Sequence, residues 1–152
     1  MIICRSLEEI EAQVDQPAAV SGWLQITQSD IDRFADLTGD HQWIHVDTER
    51  AARESPYGGT IVHGFLTLAM VGRLFNDAVK FENRKSGLNY GCDKLRFVAP
   101  VKSGARVRGI FKLVETRRIT PDTLQCGWDV TIEAEGSTRP AIAVRWLIRL
   151  NY

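Results

Sequence analysis

The stretch "GFLTLAMVGRLFNDAVKF", residues 64–81, decides the fold. Phe65, Leu66, Leu68, Ala69, Met70, Val71, Leu74 and Phe75 are spread around most of a helical wheel. A helix apolar on nearly every side has to be buried. This one is too short and too interrupted to cross a bilayer, which takes about 20 consecutive apolar residues, so another part of the same protein must wrap it. The wrapping is legible downstream. Leu124, Cys126, Trp128, Val130 and Ile132 alternate with Gln125, Gly127, Asp129, Thr131 and Glu133, the period of a half-buried strand. Ile142, Val144, Trp146, Ile148 and Leu150 repeat the pattern with Arg145 and Arg149 on the other face, and "EGSTRP" between the two segments has turn chemistry. Further strands are expected over Leu88–Phe97 and, after "PVKSG", over Arg106–Val114. Antiparallel strands with one wet face and one face on a helix give this alternation. The predicted architecture is α+β: one long buried helix cradled in a curved antiparallel sheet, as a single domain over residues 1–152.

Working upstream, Ser6 can cap a short helix through Val14, with Leu7, Ile10 and Val14 at helical spacing and Glu9 completing a capping box. "SGWLQIT" after Pro17 reads as a short strand or an extended entry to the next helix. In that helix Thr27 is the cap, Asp30 its third-position partner, and Ile31, Phe34, Ala35 and Leu37 or Thr38 the inner stripe. Gly39 closes it in a left-handed turn. Asp47 can cap another short turn of helix from Thr48 before "SPYGG" breaks it.

With 152 residues and 44% hydrophobic content, the chain has the size and apolar content of one domain. Lys plus Arg and Asp plus Glu number 19 each, so no overall field attracts a polyanion, and nucleic acid is not expected as a partner. Cys4, Cys92 and Cys126 form no C-x-x-C pair and fit neither a disulfide framework nor a structural zinc site. "MIICRSLEEIEAQV" lacks the features of a secretory signal. No window has the length of a membrane span, and a cytoplasmic, membrane-free location is the expectation.

The stretch "TGDHQWIHVD", residues 38–47, holds His41 and His45 beside Asp40 and Asp47. A metal site, a catalytic pair and a polar loop are the three readings. H-x-x-x-H on a helix would aim both imidazoles at one ion. Against metal, Gln42 stands where H-E-x-x-H has its glutamate, and the helix is expected to stop at Gly39. For His41 a solvated loop is the preferred reading. For Asp40 and His45 a catalytic one is preferred, because "SPYGGTIVHGFLTLAM" delivers His63 and Gly64 to the start of the buried helix. Unpaired N–H groups and the positive end of the dipole favour an anion there. A carboxylate, an imidazole and such a helix terminus are the parts of acid/base chemistry at an activated carbonyl.

"FADLTGDHQWIHVD" followed by "SPYGGTIVHGFLTLAM" resembles the MaoC-like dehydratases, the group that includes R-specific enoyl-CoA hydratases with the hot-dog fold. The likeness runs from Trp23 through "LNYGCDKLRFVAPVKSG" to the last strands. Asp40, His45 and Gly64 match the family motifs position by position. One departure is visible: Gln42 and Trp43 replace the usual Asn-Pro pair, which leaves the spacing intact and bears on the acyl preference. The resemblance implies hydration of a trans-2-enoyl-CoA, or of the acyl carrier protein thioester, to the (R)-3-hydroxyacyl thioester. It implies Asp40 and His45 as the water-activating pair and the Gly64 amide as oxyanion donor. It further implies a homodimer and a reaction without cofactor or metal. His63, Phe65, Asn89 and Tyr90 are candidate substrate contacts. For His63 a bond to a nearby backbone carbonyl is the competing reading, and for Phe65 a place in the core. Lys94 or Arg96 is a candidate for a coenzyme A phosphate, or simply a solvated strand face. A hot-dog thioesterase and a non-catalytic acyl-thioester binder are the alternatives.

Overall fold

Alternating residues in the second half of the chain become long antiparallel strands, and the apolar stretch from Gly64 becomes the helix they pack on. The computed structural model describes residues 1–152. Its elements are β1 (Ile2–Cys4), α1 (Leu7–Glu11), β2 (Ala19–Val20), β3 (Leu24–Gln25), α2 (Gln28–Thr38), α3 (Trp43–Val46), α4 (Thr48–Glu54), α5 (Gly64–Ala78), β4 (Val79–Phe81), β5 (Ser86–Phe97), β6 (Arg106–Thr120), β7 (Thr123–Ala134) and β8 (Ile142–Asn151). The main sheet has the order β2-β6-β7-β8-β5, with β3 also on β6, and all its pairings are antiparallel. This is the predicted α+β hot-dog architecture, a curved sheet around one central helix.

The core lies between the sheet and α5. Leu66, Val71, Leu74, Phe75 and Ala78 of the helix are buried against Val107, Phe111, Leu124, Cys126, Trp128, Val130, Ile132, Ile142 and Leu150. Phe75 is the hub. It meets Phe111, Trp128 and Trp146 edge-on at centroid separations of 5.2, 4.9 and 5.1 Å, the arrangement that brings ring edges to ring faces.

The predicted local signals are present. Thr27 and Asp30 form the complete capping box of α2, and Gly39 ends it with φ 77, a conformation that costs glycine nothing. Asp47 caps α4 by accepting the Arg50 N–H. Ser6 caps α1, but the Glu9 carboxylate accepts from the Arg5 N–H, one residue before the cap.

Four expectations need correction. α5 is not covered all round: Phe65 is 67% exposed, Ala69 is exposed and Leu68 and Met70 are half-buried. The sheet of one chain covers one side of a helix, and the other side looks out beside β5. Leu37 is 84% exposed, because it lies two residues, about 200°, round the helix from buried Ala35. His45 lies in a four-residue helix, α3, a stretch to which the sequence assigns no element. Finally, α5 stops at Ala78, and Val79–Phe81 pairs in parallel with Ile2–Cys4. Strands of three residues are too short for their period to be read.

β5 is the unusual strand. It has twelve residues and pairs only with β8, and none of its residues is buried. Its second edge is a row of unpaired backbone groups.

Candidate active site

The helix terminus, the histidine stretch and the end of β5 meet at one end of α5. α2 ends at Gly39, which turns the chain so that Asp40 leads into α3. α3 in turn places the His45 ring inward, only 7% exposed. The Gln28 side chain holds α3 to α2 by donating to the His45 carbonyl at 2.8 Å and accepting from Thr60 Oγ1 at 2.6 Å. Ile61 N–H donates to the Ile44 carbonyl at 3.0 Å, tying α3 to the segment that enters α5.

The His45 tautomer follows from its partner. Nδ1 lies 2.7 Å from the Ile61 carbonyl oxygen, which can only accept, so Nδ1 carries the proton and Nε2 keeps its lone pair. Burial pushes the His45 pKa below its ordinary 6.5, against the Ile61 hydrogen bond; neighbouring His63 lowers it further and Asp40 raises it. The ring is therefore a neutral imidazole at pH 7. The sign for stability follows. Between the lowered folded value and 6.5 the unfolded chain binds a proton that the folded chain does not. His45's contribution is full above 6.5 and is lost as pH falls through that window. An NMR titration of the His45 ring is expected to give a midpoint below 6.5; a midpoint at or above it would contradict this electrostatic account.

Asp40, His45 and His63 converge. One carboxylate oxygen and one nitrogen from each ring lie within 4.8 Å of one another. The two imidazoles stack with centroids 3.9 Å apart and planes 25° apart. Because a ring nitrogen offers its lone pair in the plane of its own ring, nearly parallel planes do not meet at one ion. The trio therefore does not fit the tetrahedral geometry of a zinc site. His41 points elsewhere, exposed and bonded to the Asp36 carboxylate at 2.9 Å.

His45 and Gly64 line the same cavity of about 350 Å³, together with Tyr57, Thr67, Phe97 and Ile142. Gly64 is the first residue of α5, and its N-cap, His63, provides no side-chain acceptor. No hydrogen bond in the fold uses the Gly64 N–H, which leaves it as one of the orphan donors of a helix start. A side chain here would force a neighbour to shift: a Cβ on Gly64 would lie 2.9 Å from the Phe97 ring.

The other predicted contacts are placed differently. Phe65, Asn89 and Tyr90 line a second cavity, about 390 Å³, with Leu68, Ala69, Cys92 and Trp146 on the far side of α5. Within one chain they do not share the His45 cavity, and Arg149 covers the Tyr90 ring at 3.5 Å. His63 does bond a backbone carbonyl, that of Asp40. Tyr57, Thr67 and Phe97 were not anticipated. Thr67 alone carried a signal, as a polar residue one turn into an apolar helix; its hydroxyl donates to the His63 carbonyl at 3.3 Å.

The chain is 44% identical to Nodulation protein N of Rhizobium leguminosarum bv. viciae over 148 residues, 97% of this chain and 92% of that protein. It is 43% identical to 3-hydroxyacyl-thioester dehydratase Z of Mycobacterium tuberculosis over 144 residues, 95% of each chain. The solved (R)-hydratase from A. caviae involved in PHA biosynthesis superposes with TM-score 0.67 at 19% identity, over 88% of this chain and 95% of that one. The MaoC like domain model matches residues 9–132, so a hot-dog chain with an Asp40/His45 pair at the mouth of its central helix belongs to the MaoC-like dehydratase family.

Proposed function

We propose that this protein reversibly hydrates a trans-2-enoyl thioester, carried on coenzyme A, to the (R)-3-hydroxyacyl thioester. The observation that carries the reading is the neutral His45 ring, its Nδ1 fixed on Ile61, beside the Asp40 carboxylate and sharing a cavity with the free Gly64 amide. Relatives named as 3-hydroxyacyl-thioester dehydratases support the reaction class, and the (R)-hydratase of the same fold supports the stereochemical course.

In this mechanism Asp40 and His45 hold one water between them. As its oxygen bonds to the β-carbon, the pair accepts one of its protons, and a proton is returned to the α-carbon. The two groups act as one coupled unit in this transfer. Electron density shifts to the thioester oxygen, where the Gly64 N–H binds the growing charge more strongly than it binds the ground-state carbonyl. No step calls for a metal or cofactor.

The test follows enoyl absorbance and free thiol together during incubation with crotonyl-CoA. Loss of absorbance without thiol release is expected. Thiol release would make the protein a thioesterase, and no change in either would make it a binder.

The same reading includes a homodimer. The open edge of β5 and the bare side of α5 at Phe65, Leu68 and Ala69 form one continuous unpartnered surface, and pairing with a second copy would cover both. Light scattering on a sizing column is expected to give twice the chain mass. Ala69→Arg, which puts a charge on that face, is expected to give monomers. A monomeric parent protein would overturn the assignment.

A further inference from the structure

We propose that His63 is a positioning residue that holds the Asp40 carboxylate and the His45 imidazole at working separation, by donating Nε2–H to the Asp40 carbonyl and stacking on the His45 ring. The inference rests on the Asp40/His45 reading above and extends it to a residue outside the reacting atoms.

Asp40 is weakly held by its own loop. Its N–H reaches Thr38 Oγ1 at 3.4 Å, and its carboxylate accepts from Gln42 N–H at 3.4 Å, both at the long limit for such bonds. The bond from His63 Nε2 is shorter, 3.0 Å, and it ties this loop to the start of α5. The anchor is rigid. His63 is 2% exposed, its ring is flanked by Phe34 at 5.1 Å and His45 at 3.9 Å, and its carbonyl accepts the Thr67 N–H at 3.0 Å. A role as mere filler is disfavoured by its chemistry. With Nε2–H donated, the buried Nδ1 has no partner, a cost that an apolar side chain of similar size would avoid. The polarity is accounted for by the bond to Asp40. Stacking has a second effect, because it covers one face of the His45 ring and excludes water from it. The groups facing His45 are Asp40, His63 and the Ile61 carbonyl.

Two variants of the full-length protein separate the two contributions. His63→Phe keeps a flat ring and removes the donor. Its kcat on crotonyl-CoA is expected to fall roughly tenfold, the equivalent of one well-placed hydrogen bond, with KM unchanged. His63→Gln keeps an amide N–H near the Nε2 position and removes the stack. It is expected to retain most of kcat while the acid limb of kcat/KM moves up toward 6.5, as the His45 ring gains water. Circular dichroism and a thermal melt establish that each variant is folded, and if His63→Phe does not fold, His63→Gln decides by its acid limb alone. Parent-like kcat and an unmoved limb in folded variants would overturn the proposal. So would a rise in KM at constant kcat, which would make His63 a substrate contact. NMR titration of the His45 ring in parent and His63→Gln reads the same shift without turnover. An inactive parent would therefore end the hydratase reading while this test still returned an answer.

Discussion

Asp40→Asn and His45→Gln are each expected to lower kcat for crotonyl-CoA hydration by roughly 10²- to 10⁴-fold, the range of a positioned general acid or base. The double variant is expected to be little worse than either single one, because two groups that handle the same proton act as a unit and their losses do not add. The two substitutions differ in what else they disturb. Asp40 is exposed, and its side chain makes only a long contact with Gln42, so Asn at this position leaves the fold undisturbed and its effect is chemical. His45 is buried, and its Nδ1–H satisfies the Ile61 carbonyl. Truncation to Ala would leave that acceptor unpaired, at a cost of about 1–3 kcal/mol, and open a hole beside His63. Gln fills more of the space and offers an amide donor, which makes it the cleaner probe. Hydration within a few-fold of the parent in Asp40→Asn would remove the carboxylate from the mechanism, whatever His45→Gln did.

The legible parts of this molecule were those in which one chain's own chemistry decides the outcome. Alternation over Leu124–Glu133 and Ile142–Leu150 reported the core face of β7 and β8 because the same residues are buried in the fold, Trp146 alone being half-buried. The caps at Thr27, Gly39 and Asp47 reported the helix ends because capping is local. Asp40, His45 and Gly64 could be singled out as candidates because the loop, the short helix and the helix start fall in one short span of sequence, separated only by α4 and the segment after it.

What was missed depends on long-range encounters. Phe97 reaches Gly64 from the end of a strand 33 positions on, and β1 finds β4 across most of the N-terminal half. The uniform apolar character of α5 predicts burial on every side, and the fold provides it on only one. The residue types on the uncovered side, Phe65, Leu68 and Ala69, are the same as those on the covered side. Periodicity therefore could not say which face belongs to the fold and which to the proposed second copy. Asn89 and Tyr90 follow from the same ambiguity. They lie on the open strand beside the bare helix face, a place that a single sequence does not distinguish from the cavity lined by His45 and Gly64.

Gly64→Ala is expected to cost roughly 10²- to 10³-fold in kcat, the effect of losing one oxyanion donor, even though alanine retains the N–H. The added Cβ would meet the Phe97 ring at 2.9 Å, with two further ring carbons at 3.0 and 3.3 Å, tighter than van der Waals contact allows. Either the first turn of α5 retreats or Phe97 turns aside. Phe97 is half exposed and packs on Phe65 at 5.5 Å, so it has room to move, but its new position would narrow the cavity it shares with His45. Both routes displace the amide from the position where negative charge develops, or displace the acyl group from the amide. The compensating change is Phe97→Leu, which withdraws the ring and makes space for the methyl group. In the double variant Gly64→Ala/Phe97→Leu most of the lost kcat is expected to return, while Phe97→Leu alone has a small effect. That pattern separates steric displacement from a requirement for glycine itself. Gly64→Ala with parent-like turnover would mean that this amide takes no part in stabilising the thioester oxygen, and the helix start would then serve only to deliver His63 to the pair.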